Sequence, residues 1–158
     1  MPLLIEIKTG DKLIINGAVI ENAGPNSKLL VHNKATILRG KEVLSQDESC
    51  TPASRTYYAL QCAYIFPDEP RHLEQFRTLL DDYVRACPSA SDIRANILDD
   101  VNADRLYKGL KKAHALIEHE NKLVTQMFAQ AKELETEIGE NTGANTESSE
   151  PPENQPPS

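Results

Sequence analysis

The stretch Lys12-Leu13-Ile14-Ile15-Asn16-Gly17-Ala18-Val19-Ile20-Glu21 decides the fold of the amino-terminal part. Both central residues of a type I′ turn need positive φ, which Asn tolerates and Gly adopts freely. Asn16-Gly17 between two apolar runs therefore predicts a hairpin of strands 12–15 and 18–21. Upstream, Leu3, Ile5 and Ile7 alternate with Leu4, Glu6 and Lys8, and Thr9-Gly10-Asp11 supplies turn chemistry, so one strand precedes the hairpin. Downstream, a loop over 22–27 leads into Lys28–Asn33 and Ala35–Leu38, which read as two further strands. Five short strands suffice for a small stable sheet or barrel. Residues 1–44 are expected to form an antiparallel β module.

The remainder reads as helical. Residues 45–56 are a polar linker containing Pro52. In the apolar run 57–66, Tyr57, Leu60, Tyr64 and Ile65 fall near one helical face and Pro67 follows, which favours a helix over a strand. From Glu69 to Ala86, Leu73, Phe76, Leu79 or Leu80, Tyr83 and Val84 recur at helical spacing, with Pro70 acceptable in the first turn and Pro88 as a stop. Ser89-x-x-Asp92 resembles a capping box that opens a short helix through Ile93, Ile97 and Leu98.

The last helix carries the most regular pattern. Leu110, Ile117, Val124, Ala131 and Ile138 lie seven residues apart, as do Leu106, Ala113, Glu120, Met127 and Leu134, giving an a/d seam with one charged interruption. Leu106, Leu110, Ala113, Ile117, Val124 and Met127 are the expected seam for a partner helix or for a homo-oligomer. The fold class is thus α+β: a five-stranded antiparallel module, a linker, a helical region over 57–139 with a long heptad-bearing helix, and a tail over 140–158. That tail has no Lys or Arg and several Glu and Pro, so it is expected to be disordered.

Composition narrows the functional classes. With no Trp and eight aromatics in 158 residues, the core must rest on Leu, Ile, Val and Ala. No run approaches the roughly 20 apolar residues of a membrane span. Nothing near Met1 resembles a signal peptide, so a cytoplasmic protein without membrane contact is expected. Cys50, Cys62 and Cys87 are widely spaced and lack a C-x-x-C pattern, which suggests reduced, unpaired thiols. No G-x-S-x-G, phosphate-cradling glycine loop or H-E-x-x-H occurs, and no catalytic centre or cofactor is expected. His114 and His119, five apart, diverge around a helix; His114 with Glu118 has better geometry, but a solvated helix face is the ordinary reading and no metal is expected. Asp81-Asp82 and Asp99-Asp100 read as solvent-facing pairs, and Tyr57, Tyr58 and Tyr64 as core in preference to base-stacking platforms.

The net charge of −7 argues against an ordinary nucleic-acid binder. Its distribution is uneven. Residues 1–56 hold seven Lys or Arg against six acids, and no acid lies between Glu21 and Glu42. Lys28, His32, Lys34, Arg39 and Lys41 fall inside that interval and are the candidate contacts for an anionic partner such as RNA.

A likeness to a known family enters through four segments in order. Asn16-Gly17-Ala18-Val19-Ile20-Glu21-Asn22, Asn33-Lys34-Ala35-Thr36-Ile37-Leu38-Arg39, Thr51-Pro52-Ala53-Ser54-Arg55, and Tyr107-Lys108-x-Leu110 with Leu116-Ile117-Glu118 together resemble the FlbT family over roughly residues 1–125. The resemblance implies regulation of flagellum assembly after transcription: association with the 5′ untranslated leader of a flagellin mRNA and repression by promoting decay, with some members activating instead. The family supplies no residue-level RNA motif to carry over. A fainter likeness, Leu3-Leu4-Ile5 and Gly10-Asp11-x-Leu13-x-Ile15, is to the opening strands of the CsrA family of mRNA-binding regulators. The competing expectation is a protein-binding adaptor or chaperone whose heptad helix captures flagellin or a FlaF-like co-regulator.

Overall fold

The computed structural model describes residues 1–143; the tail expected over 140–158 lies outside them from residue 144 onward. The element order is β1 (Leu3–Ile7), β2 (Lys12–Ile15), β3 (Ala18–Glu21), β4 (Ser27–Val31), β5 (Ile37–Arg39), α1 (Pro52–Ile65), α2 (Pro70–Ala86), a 3-10 turn (Pro88–Ala90), α3 (Ser91–Asn102) and α4 (Leu106–Gly143). The α+β class and the five antiparallel strands are as the sequence implies. The described residues separate into one compact unit over residues 1–120 and another over 121–143.

The strands form two sheets, one of β1 and β4 and one ordered β3-β2-β5. Asn16 and Gly17 both have positive φ, 49° and 84°, and Ile15 pairs with Ala18 across them, which is the expected two-residue hairpin. The apolar run of β2 is buried on both sides. Leu13 joins Ile5 and Ile7 in a small core lined also by Leu29, Val31 and Ile37. Ile14 points the other way and joins Leu38 in the main core with the helices. Alternating side chains on a central strand allow one tetrapeptide to hold both cores together.

The main core is built by Tyr57 and Leu60 of α1, Phe76, Leu80 and Tyr83 of α2, Ile97 and Val101 of α3, and Leu110, Ala113 and Leu116 of α4. Gly109 lets α4 lie close to α3: a Cβ there would come within 2.9 Å of Val101 Cγ2.

Several local expectations change. The first helix starts at Pro52 instead of 57, because Thr51 accepts from the Ser54 N–H at 3.2 Å and Ser54 Oγ accepts from the Thr51 N–H at 2.9 Å. Its first turn gains a further acceptor, since the Glu120 carboxylate takes the Ala53 N–H at 3.1 Å. The charged interruption of the heptad seam is therefore a long-range helix cap. The Ser89-x-x-Asp92 box does not form. Pro88–Ala90 runs as a 3-10 turn straight into α3, and the Ser89 hydroxyl hydrogen-bonds His119 Nε2 at 2.8 Å instead. Asp100 is not solvent-facing: it is buried between Arg105 at 2.8 Å and Lys112 at 2.6 Å. Hydrogen bonds from Lys112, then Arg105, hold its carboxyl below the usual range. Helix α4 continues past Gly139 to Gly143.

Candidate nucleic-acid interface

Two short turns bring cations from different parts of the β module to one place. In the first, the Asp11 carboxylate accepts from the Lys8 N–H at 3.0 Å, the Asp11 N–H donates to the Lys8 carbonyl at 3.0 Å, and Gly10 supplies a φ of +81°. Asn22 ties this turn down: its N–H donates to the Asp11 carbonyl, its carbonyl accepts from Gly10, and its side-chain amide donates to the Ile7 carbonyl at 3.1 Å. Lys8 and Lys12 thus flank a turn whose backbone is held by hydrogen bonds.

The second turn follows β5. The Glu42 N–H donates to the Arg39 carbonyl at 2.8 Å, and Glu42 Oε2 accepts from the Arg39 N–H at 3.2 Å. Gly40 lets the turn lie close to β2: a Cβ there would sit 3.1 Å from the Lys12 carbonyl oxygen. Three helical side chains clamp what comes next. Tyr57 Oη donates to the Glu42 carbonyl at 2.6 Å, Tyr107 Oη to Glu42 Oε1 at 2.7 Å, and the Gln61 amide brackets Leu44, accepting from its N–H at 2.8 Å and donating to its carbonyl at 2.9 Å. Burial, then the Glu42 carboxylate, pushes the Tyr107 hydroxyl up to about 12.

Between these turns lies an open cleft of about 720 Å3 lined by Lys8, Lys12, Arg39 and Lys41, with Glu6, Asp11 and Glu42. Each of the three carboxylates is engaged: Glu6 pairs with Lys28 at 3.1 Å, Asp11 caps its own turn, and Glu42 holds Tyr107 and Arg39 N–H. Among the described residues, none of the four cations has a carboxylate within ion-pair distance. An anion entering here meets four exposed cations; Lys28 balances Glu6, while Asp11 and Glu42, bonded to neutral donors, keep their charge, so the cations outnumber the unbalanced acids four to two.

The structure divides the five candidate contacts. Arg39 and Lys41 line the cleft. Lys28 sits on the outer face of β4 opposite Glu6 and is paired with it. His32 and Lys34 are exposed in the β4–β5 connection. Thr36, next along, bonds Asn16, so this connection lies at the other end of the sheet from Arg39. Lys8 and Lys12 were missed because they stand among acids in the sequence; their signal was the Thr9-Gly10-Asp11 turn, which folds Asp11 back onto the backbone.

The remaining candidates go elsewhere. Tyr57 is buried and packs on His114, with ring centroids 4.8 Å apart, while Tyr64 packs on Tyr107 at 5.5 Å. Cys62 has its thiol pushed up by burial, the opposite of an activated nucleophile. His119 hydrogen-bonds Tyr83 Oη through Nδ1 and Ser89 through Nε2, both at 2.8 Å. The seam splits: Leu110 and Ala113 are buried in the main core, Leu106 and Ile117 are half-buried against it, and Val124 and Met127 are exposed. Among the described residues no helix is long and apolar enough to cross a membrane.

Comparison with known proteins places the chain. The family model described as "Flagellar protein FlbT" matches residues 3–124, which contain the β module, the cleft and the main core. A protein of a Caulobacter species named "Probable flagellum biosynthesis repressor protein FlbT" is 37% identical over 127 residues, covering 77% of this chain and 95% of that one. A Bradyrhizobium diazoefficiens relative, "Probable flagellum biosynthesis repressor protein FlbT 1", is 34% identical over 130 residues, 82% of this chain and 89% of its own. The Caulobacter vibrioides "Flagellum biosynthesis repressor protein FlbT" is 35% identical over 127 residues, 77% and 88% respectively. No solved structure matches the chain. With the family model spanning the whole β module and all but the distal part of α4, the chain belongs to the FlbT family of flagellar proteins.

Proposed function

We propose that the protein regulates flagellum biosynthesis by binding the 5′ untranslated leader of a flagellin mRNA, repressing expression by promoting decay of the message, with no chemistry of its own. The regulatory role rests on the relatives, which are named as flagellum biosynthesis repressors. RNA as the target is supported by one observation above the others: Lys8, Lys12, Arg39 and Lys41 gather at one cleft without carboxylate partners, in a chain whose net charge is −7. An acidic protein that leaves four cations together and unpaired has a place for a phosphate backbone. Decay then follows from presenting the bound leader to nucleases or from displacing ribosomes that shield it.

The test is a titration of the protein against a flagellin leader transcript at several salt concentrations. Phosphate contact requires log affinity to fall linearly with log salt, by about 0.7 per contact for a single strand. Affinity independent of salt, or absence of binding at low salt, would transfer the regulatory role to the adaptor reading, in which the protein holds flagellin or a FlaF-like co-regulator and acts on the message indirectly. That second reading draws on the exposed apolar residues of α4 and on the net negative charge.

A further inference from the structure

Within residues 121–143, α4 carries Val124, Met127, Leu134 and Ile138 at 45, 68, 58 and 65% exposure, with Ala131 between them and Phe128 beside them at 72%. The steps from 124 to 138 are three, four, three and four residues, the heptad a/d pattern. A stripe of this kind follows a slow left-handed twist about the helix, which fits another helix running alongside and nothing flatter. The upstream part of the same seam is already used: Leu110 and Ala113 are in the main core, and Glu120 caps α1 through Ala53. The free seam therefore begins after Glu120.

We infer that this distal segment pairs with its counterpart in a second copy of the chain as a parallel, in-register, two-stranded coiled coil. Three observations select that occupant. First, the a positions are Val124, Ala131 and Ile138 and the d positions Met127 and Leu134. Two of the three a residues are β-branched and the d residues are Leu and Met, and β-branched a with Leu at d favours two parallel strands over three or four. Second, the flanking positions suit a copy of themselves. In parallel register each g residue meets the e residue five further on in the other chain, which sets Leu123 beside Phe128 of the second copy, Gln130 beside Glu135 and Glu137 beside Thr142. One of these pairs is apolar, two can hydrogen-bond, and none opposes like charges, although Glu133, Glu135, Glu137 and Glu140 crowd this end of the helix.

Third, the area is sufficient. The exposed apolar side chains present on the order of 500 Å2, at the upper end of what a monomer ordinarily leaves in one patch. Covering it on both copies removes about 1,000 Å2 from water, the threshold for a specific interface. A modest dimer that dissociates on dilution is the expected consequence. Self-pairing does not depend on what the cationic cleft binds.

Light scattering or sedimentation of the full chain tests this. The expected particle has twice the 17.5 kDa chain mass. The double substitution Met127→Asp with Leu134→Asp should give a monomer, whereas Ala129→Asp, off the seam, should leave the dimer intact. A monomeric parent, a trimer or tetramer, or a dimer indifferent to the double substitution would overturn the proposal. Orientation has its own readout in a chain with Cys50, Cys62 and Cys87 replaced by Ser. Ile138→Cys should form an inter-chain disulfide under mild oxidation, because a parallel register brings the two positions 138 together. Failure of Ile138→Cys to cross-link in a protein that is still dimeric would contradict the parallel arrangement.

Discussion

Tyr107 Oη donates to Glu42 Oε1 at 2.7 Å, joining α4 to the turn that follows β5. The same Glu42 accepts the Arg39 N–H through its other oxygen and the Tyr57 hydroxyl through its carbonyl. One residue thus fixes the turn that displays Arg39 and Lys41 and ties it to the helical core. Tyr107→Phe keeps the packing on Tyr64 and removes one charge-assisted hydrogen bond, which should cost about 1.5–3 kcal/mol. Glu42→Ala loses the Arg39 contact as well and should cost more. Thermal melts in which both variants match the parent would show that Glu42 is not a hub.

Alkaline stability should reflect the buried tyrosines. Burial pushes Tyr83 up to about 12, and burial with the Glu42 carboxylate does the same for Tyr107. A raised folded-state pKa means that stability is fully present below the ordinary tyrosine value of 10.0 and is lost as pH rises through the folded value. Melting temperatures measured across this range should stay level to about pH 10 and fall by about pH 12. A level profile to the upper limit would contradict the assignment.

The Gln61 side chain is buried and uses both ends of its amide on Leu44. Gln61→Leu fits the volume but strands the Leu44 N–H and carbonyl, at a cost of about 2–3 kcal/mol. If the cleft binds RNA as proposed, it should also weaken that binding, because the chain following Lys41 loses one of its anchors. A stable Gln61→Leu protein with parental RNA affinity would separate the clamp from the site.

Much of this fold was legible in the sequence, and the reasons for the rest are local. The Asn16-Gly17 turn, the alternation of Ile5 and Ile7, and Pro70 as the first residue of α2 are signals that act over a few residues, and each appears where expected. The start of α1 was not legible, because a Thr51–Ser54 box uses Ser where Glu or Gln is usual. Ser89-x-x-Asp92 had the right letters, but Pro88 set a 3-10 turn and His119, thirty residues on, took the hydroxyl. Of the candidate contacts, Arg39 and Lys41 come together because one turn carries both. Lys8 and Lys12 join them only through pairing of β2 with β5, a relationship that counting charges along the chain does not reveal.

Gly17 has little freedom to change. Its φ of +84° is strained for any L side chain, and a Cβ would lie 3.2 Å from the Phe66 ring. Gly17→Ala should therefore destabilise by at least about 1 kcal/mol, and Gly10→Ala, with positive φ but open space, by less. Equal effects at the two positions in denaturant titrations would mean that the Phe66 contact contributes nothing.

The most direct measurement compares two variants in the leader-binding titration. Replacing Lys8, Lys12, Arg39 and Lys41 together by Gln alters surface charge at one cleft, whereas Lys34→Gln removes a charge at the other end of the sheet. If the cleft holds the RNA backbone, the quadruple variant should fold, lose most of its affinity, and flatten the salt dependence by up to about three units of slope, while Lys34→Gln stays close to the parent. A folded quadruple variant that binds the leader as the parent does, or a Lys34→Gln protein that loses as much affinity as the quadruple variant, would contradict the assignment of the cleft.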